Sequence, residues 1–140
     1  MRVCGVELSG SEARLAVVEL VQEGGPKYID LSTKRVKLSN DKSSEAIKSF
    51  KSAIQSFVHE NSIQVVCIKD RAHKVKFAGG AVSFKLESLI QSIDGCDVKF
   101  VSPQALSSFA KKNYAGTPTG IPGYLKAAFS SAAFLLAAQE

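Results

Sequence analysis

An α/β fold with a mixed sheet follows from three observations on this chain of 140 residues. Apolar, β-branched segments separated by turn residues fill positions 3–38. Apolar residues then recur at helical spacing from Ile47 to Val58. Beyond them, short apolar runs at 63–68 and 98–101 alternate with further helical segments, the pattern of parallel strands joined by crossover helices. The length is that of one ordinary domain, so a single domain over 1–140 is expected, with roughly two thirds of its surface buried on folding.

The first strand covers 3–8 and is apolar except for Glu7. Ser9, Gly10, Ser11 and Glu12 form a polar turn with a glycine available for positive φ. Residues 13–20 return as the second strand. Gly24, Gly25 and Pro26 mark another turn. A third strand is expected over 28–38, with Ile29, Leu31, Val36 and Leu38 among polar residues. Ser39, Asn40, Asp41, Ser43 and Ser44 are candidate caps for a helix ending near Asn61. Its stripe is Ile47, Phe50, Ala53, Ile54, Phe57 and Val58, and His59 in its last turn suits the helix dipole. A buried strand at 63–68 follows. Gly79-Gly80 is read as a break before a helix over 81–93. A strand at 98–101 leads to Ser102-Pro103, cap and first-turn residue of a helix reaching about Lys112. Residues 114–123 hold three glycines and two prolines and predict a loop. A final helix over 124–138 is apolar around nearly its whole circumference. Such a helix is buried in a core or in a subunit contact, and a homodimer through it is expected.

Composition narrows the classes. Hydrophobic residues make 45% and charged residues 22% of the chain, which argues for a packed globular domain and against disorder. No apolar run approaches the ~18 residues of a membrane span. The N-terminal residues, interrupted by Glu7, do not match a secretory leader. The three cysteines, Cys4, Cys67 and Cys96, have no zinc spacing; Cys4 and Cys67 fall in predicted strands as small core residues. A reducing, cytoplasmic location is therefore expected. The net charge of +5 is compatible with a polyanionic partner, and its distribution is more telling. Lys69, Arg71, His73, Lys74 and Lys76 lie close together, with Lys85 nearby; Lys111, Lys112 and Lys126 could extend the patch. Such a cluster can neutralise several phosphates, or can simply guard an exposed strand edge. No aromatic platform for single strands accompanies it.

The element order, with a carboxylate near the end of the first strand, resembles the ribonuclease-H-like fold. Gly5-Val6-Glu7-Leu8-Ser9-Gly10-Ser11, running into Ala16-Val17-Val18, is similar to the opening hairpin of the Holliday-junction resolvases. Val101-Ser102-Pro103, Lys112, Gly116 and the small-residue helix from Gly123 are loosely similar to a later stretch of them. Over nearly its full length the chain resembles a bacterial family named domain of unknown function 3010. The likeness is clearest at Arg2-Val3-Cys4-Gly5-Val6-Glu7-Leu8 and at Gly123-Tyr124-Leu125-Lys126-Ala127-Ala128-Phe129. These resemblances imply a five-stranded mixed sheet, three antiparallel strands then two parallel, with helices on both faces.

The fold resemblance also implies a site. Its enzymes gather carboxylates around Mg²⁺, which activates water and stabilises the leaving oxygen. Sites in open sheets lie beyond the C-terminal strand ends. Glu7 and Asp70 would converge there if the strands carrying them are neighbours, so they are the candidate Mg²⁺ ligands and, with Glu87, the candidate catalytic residues. Lys69, Arg71, Lys74, Lys76, Lys85 and Lys126 are the candidate nucleic-acid contacts. The resolvases carry Asp where Glu7 stands, Glu where Asp70 stands, and one or two further Asp residues on the last helix, where 124–138 has none. The reading adopted is a nucleic-acid-associated domain with a degenerate or incomplete metal site. An active Mg²⁺-dependent nuclease using Glu7 and Asp70, and a non-enzymatic homodimeric scaffold, are its rivals. A phosphate cradle at Ser9-Gly10-Ser11 would need a second such hairpin, and none is visible.

Overall fold

The computed structural model describes residues 1–21, 25–70, 78–113 and 120–138. Its strands are β1 (Arg2–Ser9), β2 (Glu12–Val21), β3 (Gly25–Ile29), β4 (Arg35–Lys37), β5 (Val65–Lys69) and β6 (Asp97–Val101). Its helices are α1 (Ser44–Glu60), α2 (Ala78–Gln91), α3 (Pro103–Asn113) and α4 (Lys126–Ala138), the last entered through a 3-10 turn at Gly123–Leu125. The sheet runs β3-β2-β1-β5-β6, and β4 also pairs with β2. β1, β2, β3 and β4 are joined by antiparallel pairing, while β5 and β6 add on in parallel. The mixed α/β architecture thus matches the expectation.

The hairpin closes at Gly10, whose φ is +58°; Gly in first place with positive φ matches the twist of the flanking strands. Ser9 then faces Glu12, and counting back along the ladder, Glu7 faces Arg14. The expected third strand is in two pieces. Between β3 and β4 the chain leaves the ladder, where Lys34 Nζ bonds the Leu31 carbonyl at 2.6 Å and the Asp30 carboxylate at 2.9 Å. That local closure holds a bend which a continuous strand could not contain. The helix expected to start after Gly79-Gly80 instead includes both glycines in its first turn, where backbone N–H groups lack intrahelical partners in any case.

Helix α1 is bounded by side-chain and backbone caps. The Ser43 hydroxyl accepts from the Ala46 N–H at 3.2 Å. At the other end Ile63 N–H reaches the Val58 carbonyl at 2.9 Å and Ser62 N–H the His59 carbonyl at 3.3 Å, with Ser62 at φ +54°. This is the paired closure of a Schellman motif.

Strand alternation gives each sheet face its own core. Cys4, Val6, Leu15, Val17, Val66 and Ile68 pack under α1 and α2 with Phe50, Ile54, Leu86 and Ile90. Val3, Ala16, Val18, Val65 and Cys67 pack under α4 with Leu125, Ala128, Phe129, Ala132 and Leu136. Burying side chains such as Phe129 or Leu136 contributes about 1.5–3 kcal/mol each. Gly5 sets the α4 approach: a Cβ there would lie inside the Ala128 carbonyl oxygen, 2.8 Å from its carbon and 2.9 Å from the Ala132 nitrogen.

That packing also changes the reading of residues 124–138. Residues 128–133 and Leu135 and Leu136 are buried within the chain itself, while Lys126, Ala137 and Ala138 are exposed. Phe134 closes edge-on against Phe109 of α3, ring centroids 5.6 Å apart. The apolar circumference that suggested a subunit contact is used inside one chain. No helix among the described residues is long and apolar enough to cross a membrane.

Candidate nucleic-acid interface

The C-terminal end of β1 is where the sheet, α3 and α4 diverge, leaving a cleft of about 340 Å³. Alternation along β1 that buries Val3 and Gly5 against α4 brings Glu7, two residues further, to the same face at the cleft. The hairpin register supplies Arg14 from β2 opposite it. β5 supplies Lys69: Val6 is level with Ile68, so the next residues along these parallel strands are Glu7 and Lys69. Leu106 and Ser107 of α3, Tyr124 of the 3-10 turn, and Lys126 and Ser130 of α4 complete the wall.

The charges are ordered around Glu7. One of its oxygens lies 3.6 Å from an Arg14 guanidinium nitrogen and the other 3.6 Å from Lys69 Nζ. Arg14 also holds Glu12 at 3.2 Å through Nε. The members of this network keep about a quarter to a third of their side-chain surface exposed, so each pair is worth only ~0.2–1 kcal/mol. Their effect is on potential more than on stability. Among the described residues the cleft lining has three cations, Arg14, Lys69 and Lys126, against the single acid Glu7, a net of +2. Arg35, level with Arg14 across the β2–β4 ladder, stacks its guanidinium 4.5 Å above the Tyr124 ring, bringing a further cation to the rim.

Among the described residues the donor set does not fit Mg²⁺. The ion takes hard oxygens, and one or two carboxylates normally anchor it. Among the described residues Glu7 is the one carboxylate lining the cleft, and its two oxygens face Arg14 and Lys69. Like unit charges 4 Å apart repel by about 4 kcal/mol at an effective dielectric of 20, and a dication doubles that. Among the described residues no group of three or more His, Cys, Asp or Glu side chains could hold a metal.

The remaining candidates fall as follows. The strands carrying Glu7 and the 65–69 run are neighbours, yet the β5 residue beside Glu7 is Lys69. Asp70 comes one step later, just past the end of β5, its N–H donating to the Val101 carbonyl at 2.8 Å. Glu87 belongs to α2, whose Leu86 and Ile90 cover the other face of the sheet. Lys85 is on the same helix and is engaged by the Asp41 carbonyl at 2.7 Å and its carboxylate at 3.4 Å, away from the cleft. Lys126 lines the cleft. Arg71, His73, Lys74 and Lys76 lie outside the described residues, as do 114–119 of the glycine- and proline-rich loop. The turn at Ser9-Gly10-Ser11 is engaged in packing: Gly10 accepts from the Ser83 hydroxyl at 3.1 Å, and Ser11 from the Leu38 N–H at 2.8 Å.

Arg14, Arg35 and Tyr124 were not singled out by sequence. Arg14 could have been, since a two-residue turn at Gly10-Ser11 pairs positions 7 and 14. The approach of Arg35 to Tyr124 joins β4 to the entrance of α4 and has no local signal.

Comparison with known proteins agrees with the architecture. A Thermus thermophilus RuvC structure is similar at 16% identity and a TM-score of 0.77, covering 99% of this chain and 96% of that one. That of T. thermophilus RuvC in complex with Holliday junction substrate is similar at 13% identity and a TM-score of 0.75, covering 99% and 95% of the two chains. The yeast mitochondrial Holliday junction resolvase Ydc2 is more distant, at 13% identity and a TM-score of 0.54 over 81% of this chain and 58% of that one. At such identities the likeness establishes the ribonuclease-H-like fold. No curated protein matches the sequence. The model of one family, described as protein of unknown function DUF3010, matches residues 1–135, and the chain belongs to that family.

Proposed function

We propose that the chain binds nucleic acid through phosphate groups at the Arg14–Lys69–Lys126 cleft, and that Glu7 balances charge there in place of holding a metal ion. The observation that carries this reading is the position of Lys69. It stands beside Glu7 on the neighbouring parallel strand and within 3.6 Å of its carboxylate, so the centre of the cleft attracts anions. Lysine and arginine at the end of a sheet, with Ser107 and Ser130 on the opposite wall, offer the donors that phosphate oxygens accept. In the sequence Arg71, Lys74 and Lys76 belong to the same basic run as Lys69. Fold neighbours include a resolvase in complex with a Holliday junction substrate, which supports branched DNA as the first ligand to try.

The test is fluorescence anisotropy with a labelled four-way junction, a duplex and a single strand, in Mg²⁺ and in EDTA, with strand integrity read on gels. The expected result is salt-sensitive binding that is indifferent to EDTA, with the strands left intact. Absence of binding at low salt would refute the proposal. Mg²⁺-dependent cleavage lost in Glu7→Gln would refute it in favour of the nuclease reading.

A further inference from the structure

β6 ends the sheet, and no described strand pairs with its outer edge. The hydrogen-bonding sense of that edge can be read from its inner side. Asp97 N–H donates to the Gln64 carbonyl at 3.1 Å, and the Val101 carbonyl accepts from Asp70 at 2.8 Å, so odd positions face β5. Alternation then directs the N–H and C=O of Val98 and Phe100 outward. The side chains sort equally cleanly. Val98 and Cys96 pack partly against the core under α1 and α2, and Phe100 shares that side but stays 40% exposed. Phe84 of α2, the helix covering this side, is 42% exposed. Asp97 and Lys99 are exposed and belong to the opposite side.

We infer that this edge pairs with the β6 edge of a second copy of the chain, antiparallel, about a two-fold axis through Val98. In that register Val98 meets Val98, and each Asp97 meets a Lys99. Cys96 meets Phe100. The outward N–H and C=O of Val98 and Phe100 then fall at hydrogen-bonded positions, as antiparallel pairing requires. One side gains opposite-charge pairs and the other apolar pairs. A two-fold centred on Lys99 would set that lysine against itself, and one centred on Phe100 would leave Asp97 unopposed. Lys99 therefore guards the edge against wrong registers while permitting this one. The axis is normal to the sheet, so both α4 sides face the same way. With strands ~4.8 Å apart and a rise of ~3.3 Å per residue, the two Glu7 positions lie roughly 30 Å apart on one surface.

The test is mass in solution by light scattering and sedimentation, with circular dichroism to verify folding. The wild-type chain is expected at twice 14.9 kDa. Asp97→Lys and Lys99→Asp each replace two opposite-charge contacts with like-charge ones and should weaken the dimer about tenfold or more. The double exchange Asp97→Lys/Lys99→Asp should restore it. Phe100→Cys should give a disulfide-linked dimer through Cys96, because hydrogen-bonded partners sit ~5.5 Å apart at Cα, within disulfide reach. Adding Cys96→Ser should abolish that link. A monomeric wild type, a dimer indifferent to the single exchanges, or failure of the double exchange to restore association would each overturn the inference.

Discussion

Replacing Glu7 with glutamine separates the charge-balance account from a metal-ligand account, because the two predict opposite signs. Glu7 sits 3.6 Å from both Arg14 and Lys69. A phosphate oxygen held by Lys69 would lie about 6 Å from the Glu7 carboxylate. At an effective dielectric between that of water and half of it, the repulsion removed by Glu7→Gln is about 0.7–1.4 kcal/mol. Phosphate-backbone affinity should thus rise about three- to tenfold. The cost to folding is small, because the lost pairs are partly exposed and worth ~0.2–1 kcal/mol each, and the substituted amide retains one oxygen acceptor. The assay is anisotropy of a labelled junction at fixed low salt, in parallel with urea denaturation. Weaker binding by Glu7→Gln, with urea stability unchanged, would refute the reasoning.

Other outcomes follow from the packing. Gly5→Ala drives a methyl group into the α4 backbone at Ala128 and Ala132; overpacking of this kind should cost about 3 kcal/mol or more, read as a lower urea midpoint. Ser62→Gly relieves a left-handed residue at φ +54° and should raise stability by ~0.5–1 kcal/mol, measured the same way. Burial pushes the Cys67 thiol up to about 12 from its ordinary 9.0, and burial raises Cys4 as well. Above pH 9 the unfolded chain loses these protons while the folded chain retains them, so stability should fall as pH rises from about 9 towards 12. Thermal midpoints across that range would show it, and Cys67→Ala should flatten the slope.

Much of this architecture is local in origin. The Gly10 hairpin, α1 with its Ser43 cap, and the short buried strand at β5 each carry their own signals of turn chemistry, period and capping. The third strand misled because Ile29, Leu31 and Val36 stay apolar among polar neighbours even where Lys34 folds the chain back onto Asp30 and Leu31. The site was legible only in part. The expectation of a site at the end of β1 came from the fold resemblance applied to Glu7. The chemistry of the site depended on the β1–β5 register, and a one-residue change of register exchanges the faces. That single step decides whether Glu7 meets Lys69 or Asp70, and no local pattern specifies it. The final helix showed that it would be buried, yet an all-round apolar surface does not say against what. Gly5 answers that question, since its missing side chain lets α4 lie on the sheet of its own chain.

The most direct test of the cationic cleft is the salt dependence of DNA binding by the wild type and by Lys69→Ala/Lys126→Ala. Each phosphate contact removed should make the slope of log K against log salt shallower by about 0.9, so the double variant should lose close to about 1.8 and bind more weakly. An unchanged slope in that variant, with its fold intact, would contradict the assignment of the cleft.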